Sequence, residues 1–186
     1  ITKFYRREST VIYPPVDIPS QFVISNEVRN LAKRNYFITV SRLARAKHVD
    51  LLIKAANKYK FNLKIVGVGR DMRYLQSIAG KTVEFLGNVS DKKLEELYEN
   101  AKAFLFPIER REPFGMVMIE AMACGKPVIA LRRGSVPEII EHGKTGFVGD
   151  TEEEMVEAVK KIGTIKRKDC RAHLEQNFTL KQMVDK

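Results

Sequence analysis

Glu112-Pro113-Phe114-Gly115-Met116-Val117-Met118-Ile119-Glu120 runs straight into Ala121-Met122-Ala123-Cys124-Gly125-Lys126-Pro127-Val128-Ile129-Ala130. This stretch decides the fold. It reads as loop, apolar helix, glycine stop and buried strand. Pro113 or Phe114 falls near the first helical position, which leaves the amides of Phe114, Gly115 and Met116 free to meet an anion. Gly115 lets a ligand approach the backbone closely. Two acids frame the helix, Glu112 and Glu120. If the whole stretch were helical they would stand about 12 Å apart. Acid pairs that attack one glycosidic bond stand only ~5–9.5 Å apart. The spacing suits contacts at two ends of one ligand, such as a sugar and a ribose flanking a diphosphate. A pair of solvated surface acids is the plain alternative.

Outward from this segment, strand and helix patterns alternate. Tyr36-Phe37-Ile38-Thr39-Val40 reads as a strand, and residues 48–59 as a helix with Val49, Leu52, Ile53 and Ala56 on one face. Leu63 to Gly69 is a second strand ending in glycines, residues 71–79 a helix, and Val83 to Leu86 a third strand closed by Gly87. Ser90 is a helix cap, with Leu94, Leu97, Tyr98 and Ala101 on the buried face behind it. Ala103 to Phe106 and Val128 to Leu131 are further strands. Val136 to Glu141 is a short helix, Gly146 to Val148 a last strand, and Thr151 to Glu154 a capping box. Residues 168–186 hold one or two helices. Short, nearly continuous apolar strands belong in a parallel sheet covered on both faces. The expected architecture is α/β, a Rossmann-like doubly wound parallel sheet. Residues 1–20, with three prolines in Pro14-Pro15-Val16-Asp17-Ile18-Pro19, read as a connector. Residues 21–35 fit no single pattern.

In such sheets ligands bind beyond the carboxyl ends of the strands. After the first strand come Arg42 and Lys47, cations suited to a diphosphate, or simply a solvated basic loop. After the second, Gly67-Val68-Gly69 is followed by Met72 where a dinucleotide fingerprint needs glycine, so an NAD or FAD enzyme loses its main support. No phosphate-binding loop of the Walker type is present. After the third strand, Gly87, Asn88 and Val89 offer backbone groups to a flat base, or form an ordinary turn.

The chain of 186 residues carries 33 Lys+Arg against 23 Asp+Glu, a formal net charge of +10. That balance favours anionic partners. No nucleic-acid-binding signature accompanies it, and nucleic acid is not expected. His48, His142 and His173 lack metal-ligand spacing. Cys124 and Cys170 form no CxxC pair, so an intracellular setting without a disulfide is expected. A start on Ile1 suggests a piece of a longer protein.

Taken in order, Tyr13-Pro14-Pro15-Val16-Asp17, Ser41-Arg42-Leu43 with Lys47 and Asp50, Ile65 to Gly69, Phe85-Leu86-Gly87, Glu112 through Ala123, Gly125 to Ala130, Pro137 to Ile140 and Gly143 to Gly146 resemble a known family. It is the C-terminal, nucleotide-sugar-binding half of retaining glycosyltransferases with the GT-B fold, the group 1 (family 4) enzymes. The resemblance implies that residues 21–186 form the donor-binding domain, residues 1–20 the interdomain linker, and that an N-terminal acceptor domain lies outside this chain. It implies that Arg42 and Lys47 hold the donor diphosphate and stabilise the leaving group, with Glu112 facing the sugar. Glu120 would hold the ribose, Phe114, Gly115 and Met116 the sugar and distal phosphate, and Gly87, Asn88 and Val89 the base. It implies transfer of a hexosyl group, from GDP-mannose first or a UDP-hexose such as UDP-glucose second, without cofactor or metal. The acceptor would be lipid-linked or a saccharide, in the cytoplasm or at the cytoplasmic membrane face. A non-catalytic sugar-nucleotide-binding module is the alternative. Ser41, His48 and Ser135 stand where the family often has glycine.

Overall fold

The computed structural model describes residues 10–16, 35–109 and 112–185. The boundary expected at residue 20, the ambiguous stretch 21–34 and Asp17 of the connector lie outside them.

The chain alternates strand and helix as expected. The strands are β1 (Tyr36–Val40), β2 (Asn62–Val66), β3 (Val83–Gly87), β4 (Phe104–Phe106), β5 (Val128–Leu131) and β6 (Gly146–Gly149). Between and after them lie α1 (Val49–Tyr59), α2 (Met72–Ile78), α3 (Asp91–Asn100), α4 (Met116–Ala123), α5 (Val136–Ile139), α6 (Glu152–Lys161), α7 (Arg167–Asn177) and α8 (Leu180–Val184). The strands form one six-stranded sheet in the order β3-β2-β1-β4-β5-β6, all pairs parallel. The first three strands step outward from β1, and the chain then returns to add β4 on its other side. That reversal opens a crevice at the carboxyl ends of β1 and β4, where ligands of such sheets lie.

The local causes are visible. Tyr36 to Ile38, Phe104 to Phe106 and Val128 to Leu131 are buried throughout, as strands sandwiched between helix layers require. Ser90 caps α3, its Oγ accepting from the Lys93 amide at 3.4 Å. Thr151 caps α6 in the same way. Glu154 closes that box by accepting from the Asp150 amide, one residue ahead of the cap. Helix α4 is different: Met118, Ile119, Ala121, Met122 and Ala123 are all buried, so it lies inside the core.

Three expectations need correction. β2 ends at Val66. The chain then turns at Gly67, whose φ of +125° and close approach to the Ser41 carbonyl admit no side chain. The helix of the opening segment starts at Met116 and not at Pro113 or Phe114, because Gly115 (φ +82°) makes a left-handed turn first. The full-helix spacing of about 12 Å between Glu112 and Glu120 therefore does not apply, since residues 112–115 are not helical. Lys126 is only 1% exposed, whereas lysines are rarely fully buried unless paired.

Candidate functional site at the switch point

The crevice is built from the loops after β1 and β4. The β1 loop makes a single 3-10 turn, Arg45–Lys47, and His48 holds φ +50° before α1 begins. That left-handed conformation is the one glycine adopts most easily. The turn sends Lys47 back across the crevice. Its ammonium donates to Glu112 Oε2 at 3.0 Å, with both side chains partly buried. His48 Nε2 lies 3.3 Å from Glu109 Oε2. Two residues expected to grip different parts of a ligand thus meet directly. Arg42, in the loop after β1, is exposed and its side chain has no partner among the described residues.

Ser135, at the head of α5, holds the Glu112 loop in shape. Its hydroxyl donates to the Phe114 carbonyl at 2.8 Å and lies 3.2 Å from the Glu112 carbonyl. Its amide also donates to the Glu112 carbonyl, at 3.2 Å. Sequence reading treated Ser135 as a mere departure from glycine and missed this role. Behind the loop, the Phe114 ring stacks on Tyr13 at 5.7 Å and meets Phe178 edge-on at 5.9 Å. The described connector is pinned to the C-terminal helices as well, the Val16 amide donating to Phe178 O at 3.0 Å.

At the start of α4 the Met118 amide is closed by the Gly115 carbonyl at 2.9 Å. The amides of Phe114, Gly115, Met116 and Val117 have no backbone partner among the described residues. A Cβ on Gly115 would stand 2.7 Å from the Met118 methyl and 3.2 Å from the Phe106 ring, so the turn that exposes these amides depends on glycine.

One turn into α4 stands Glu120. It lines a cleft of about 500 Å³ between α3 and α4, with Asp91, Glu95, Tyr98 and Met116 on its walls. Burial first, and Asp91 second, hold the Glu120 carboxyl above its ordinary value. Burial, then the Glu120 carboxylate, likewise push the Tyr98 phenol well up. Gly87 (φ +64°) and the exposed Asn88 form the turn leading to α3, while Val89 packs partly on the core. The structure therefore brings Lys47 and Glu112 together at the crevice and sets Glu120 in the adjoining cleft.

A larger cavity of about 630 Å³ opens at the amino ends of the strands, bordered by Phe37, Lys102, Lys126 and Arg167. Size alone would favour it. However, Lys126 and Arg167 are bonded to backbone carbonyls there, and the loops that carry ligands in this architecture are at the other end. Cys124 and Cys170 are buried thiols pushed up to about 12 by burial, and neither is poised to react. His142 accepts from the Val148 amide, and His173 donates to the Ile139 carbonyl. No group of three or more metal-ligating side chains occurs among the described residues.

A doubly wound parallel sheet with cations, an acid and an open helix start gathered at its switch point defines a Rossmann-like α/β domain. Residues 21–178 match the family "Glycosyl transferases group 1". The chain belongs to that family. It is 36% identical over 138 residues to a probable sucrose-phosphate synthase of Thermosipho melanesiensis, covering 67% of this chain and 33% of the relative. It is 40% identical over 123 residues to a GDP-mannose-dependent alpha-mannosyltransferase of Mycobacterium tuberculosis, covering 64% and 32%. Among solved structures, HepE of Anabaena in complex with UDP-glucose superposes with a TM-score of 0.72 at 25% identity, over 83% of this chain and 47% of that one. TarM of S. aureus shares the fold, with a TM-score of 0.78 at 18% identity, over 99% and 39%. The chain spans about a third of the length of those two curated relatives.

Proposed function

We propose that this chain is the nucleotide-sugar donor-binding domain of a retaining hexosyltransferase. The observation that carries the proposal is the meeting of Lys47 and Glu112 at 3.0 Å beside the open amides of α4. A diphosphate fits there between Lys47, Arg42 and the helix start. Departure of the nucleoside diphosphate builds negative charge on the leaving oxygen, and these fixed cations and amides offset it. Glu112 then faces the sugar, with Phe114, Gly115 and Met116 supplying backbone contacts. Glu120 holds the ribose, and the turn at Gly87, Asn88 and Val89 meets the base. No step in this reading calls for a metal or a cofactor.

The donor is GDP-mannose in our first reading and UDP-glucose or a related UDP-hexose in the second. The GDP-mannose-dependent name of one relative supports the first, and the UDP-glucose in the HepE structure supports the second. The acceptor, lipid-linked or saccharide, is bound by a further N-terminal domain, with residues 1–20 as the linker to it. On this reading the present chain binds donor but transfers sugar poorly. The net charge of +10 fits work at the cytoplasmic membrane face. Co-sedimentation of the full-length protein with anionic but not neutral liposomes is the expected result, and equal sedimentation with both counts against it.

Calorimetric titration of the chain with GDP-mannose, UDP-glucose and ADP-glucose tests the site. One of the first two should bind, and Glu120→Ala should weaken it. If none binds and Glu120→Ala changes nothing, the assignment is wrong. Donor binding by the full-length protein without transfer to any acceptor would favour the non-catalytic module.

A further inference from the structure

Buried polar atoms are nearly always paired, because an unpaired one forfeits its hydration without compensation. Among the described residues two buried side-chain oxygens have no partner, Ser41 Oγ and the Tyr98 hydroxyl. Tyr98 is the sharper case. It is 2% exposed, and its ring is fixed edge-on against Phe104, with centroids 5.9 Å apart. The fold has the means to satisfy a phenol in this layer: Tyr36 donates to the Leu97 carbonyl at 2.7 Å, one residue away. A purely structural aromatic at position 98 would be served equally well by phenylalanine.

Helical side chains lean toward the N-terminus of their helix, so Tyr98 leans along α3 toward Asp91 and the carboxyl ends of the strands. There it lines the same cleft as Glu120. Apart from the weakly donating Cys124 thiol, the other polar side chains of that cleft, Asp91, Glu95 and Glu120, are carboxylates and when ionised only accept. A vicinal diol that donates both its protons to Glu120 keeps oxygen lone pairs that no carboxylate can satisfy. The Tyr98 phenol, held protonated by its surroundings, supplies the missing donor.

We propose that the Tyr98 hydroxyl donates to the ribose diol held by Glu120, and so makes Tyr98 a specificity residue for ribonucleotides over deoxyribonucleotides. This rests on the donor-binding reading of the cleft.

The test titrates wild type, Tyr98→Phe and Glu120→Gln with GDP and UDP and with their 2′-deoxy and 3′-deoxy counterparts, and records the melting temperature of each ligand-free protein. Losing one neutral hydrogen bond should weaken the ribonucleotide about five- to tenfold in Tyr98→Phe. One of the deoxynucleotides should lose much less, so discrimination shrinks. Ligand-free Tyr98→Phe should melt at or above wild type, since it removes an unpaired buried hydroxyl. Unchanged ribonucleotide affinity in Tyr98→Phe, with Glu120→Gln still impaired, overturns this inference and leaves the donor site standing. A lower melting temperature with equal loss for ribo and deoxy ligands makes Tyr98 structural and also overturns it. If wild type binds none of the nucleotides, the donor-site reading itself fails and this inference with it.

Discussion

The two ends of α4 have opposite hydrogen-bond balances. At its C-terminal end Arg171 donates to the Ala123 carbonyl at 2.6 Å, and Arg167 reaches the Cys124 and Gly125 carbonyls at 3.2 and 3.3 Å. Cations there also suit the negative pole of the helix. At its N-terminal end the amides from Phe114 to Val117 have no backbone partner among the described residues, and a glycine holds the turn open. The same division separates two deeply buried side chains. Lys126 donates to the Glu99 and Ala101 carbonyls at 2.6 and 3.0 Å, sealing the end of α3, whereas the Tyr98 hydroxyl has no partner among the described residues. Polar groups toward the amino ends of the strands are committed to the fold. Around the crevice and the α3–α4 cleft, the amides at the start of α4, the Arg42 side chain and the Tyr98 hydroxyl have no partner among the described residues, and the Lys47 and Glu112 side chains pair with each other. Substitutions at the first should cost stability and spare binding, and substitutions at the second should do the reverse.

The largest expected effect is at the sealed end. Lys126→Met removes a buried ammonium and leaves the buried Ala101 carbonyl and the half-buried Glu99 carbonyl without their donor, for a loss of about 3 kcal/mol. Urea unfolding measures it, and the folded fraction should bind nucleotide as wild type does. A loss below about 0.5 kcal/mol, the range of an ordinary surface substitution, would break the comparison. Lys47→Ala is the mirror case. Its pairing with Glu112 is partly exposed and worth at most about 1 kcal/mol to the fold. A charged bond to a diphosphate is worth about 2 kcal/mol, so nucleoside diphosphate affinity should fall roughly thirtyfold. An unfolding curve shifted more than the binding curve would place Lys47 with the structural cations instead.

Much of this division was legible in the sequence, and the failures have physical causes. β5 stands where its apolar run predicted it, because Pro127 and the apolar residues behind it leave no other reading. Lys47 and Glu112 could be placed at the crevice because residues in the loops after buried strands stand there, whereas Glu120 lies one turn into α4, in the adjoining cleft. The meeting of Lys47 with Glu112 could not, since it depends on the left-handed His48 and on how two loops 65 positions apart fold toward each other. Ser135 was invisible because its hydroxyl serves backbone carbonyls, which every residue has. Tyr98 was placed correctly on the buried face of α3, but its unpaired hydroxyl is a property of the packed neighbours. Lys126 did leave a signal: it is the only charged residue between Ala121 and Leu131, and a charge inside such a run must be exposed or paired.

Glu120 sharpens the comparison through pH. Its carboxyl is held above the ordinary 4.5 by burial and by Asp91. The folded protein therefore keeps this proton at pH values where the unfolded chain has lost it. Stability falls as pH rises through that window and is level above it. Glu120→Gln carries no charge to desolvate, so it should melt with wild type below the window and above wild type at neutral pH. Its nucleotide affinity should drop about tenfold, less than for Lys47→Ala because the glutamine amide oxygen still accepts one neutral hydrogen bond. Equal melting at neutral pH would mean that Glu120 is not strained by its cleft.

The smallest effect tests whether the Glu112 loop belongs to the sealed class or the open one. The Ser135 hydroxyl holds the Phe114 and Glu112 carbonyls, yet its amide bond to Glu112 survives removal of the side chain. Ser135→Ala should thus cost about 1 kcal/mol of stability, one neutral hydrogen bond. Because the lost bond sits between Glu112 and the open helix start, the loop should also hold its ligand less well, weakening binding a fewfold. Loss of stability with no change in affinity would make the serine a brace for the fold alone. Loss of both would show that the crevice borrows its shape from a bond on its rim, and that the line between the two classes of polar group runs through Ser135.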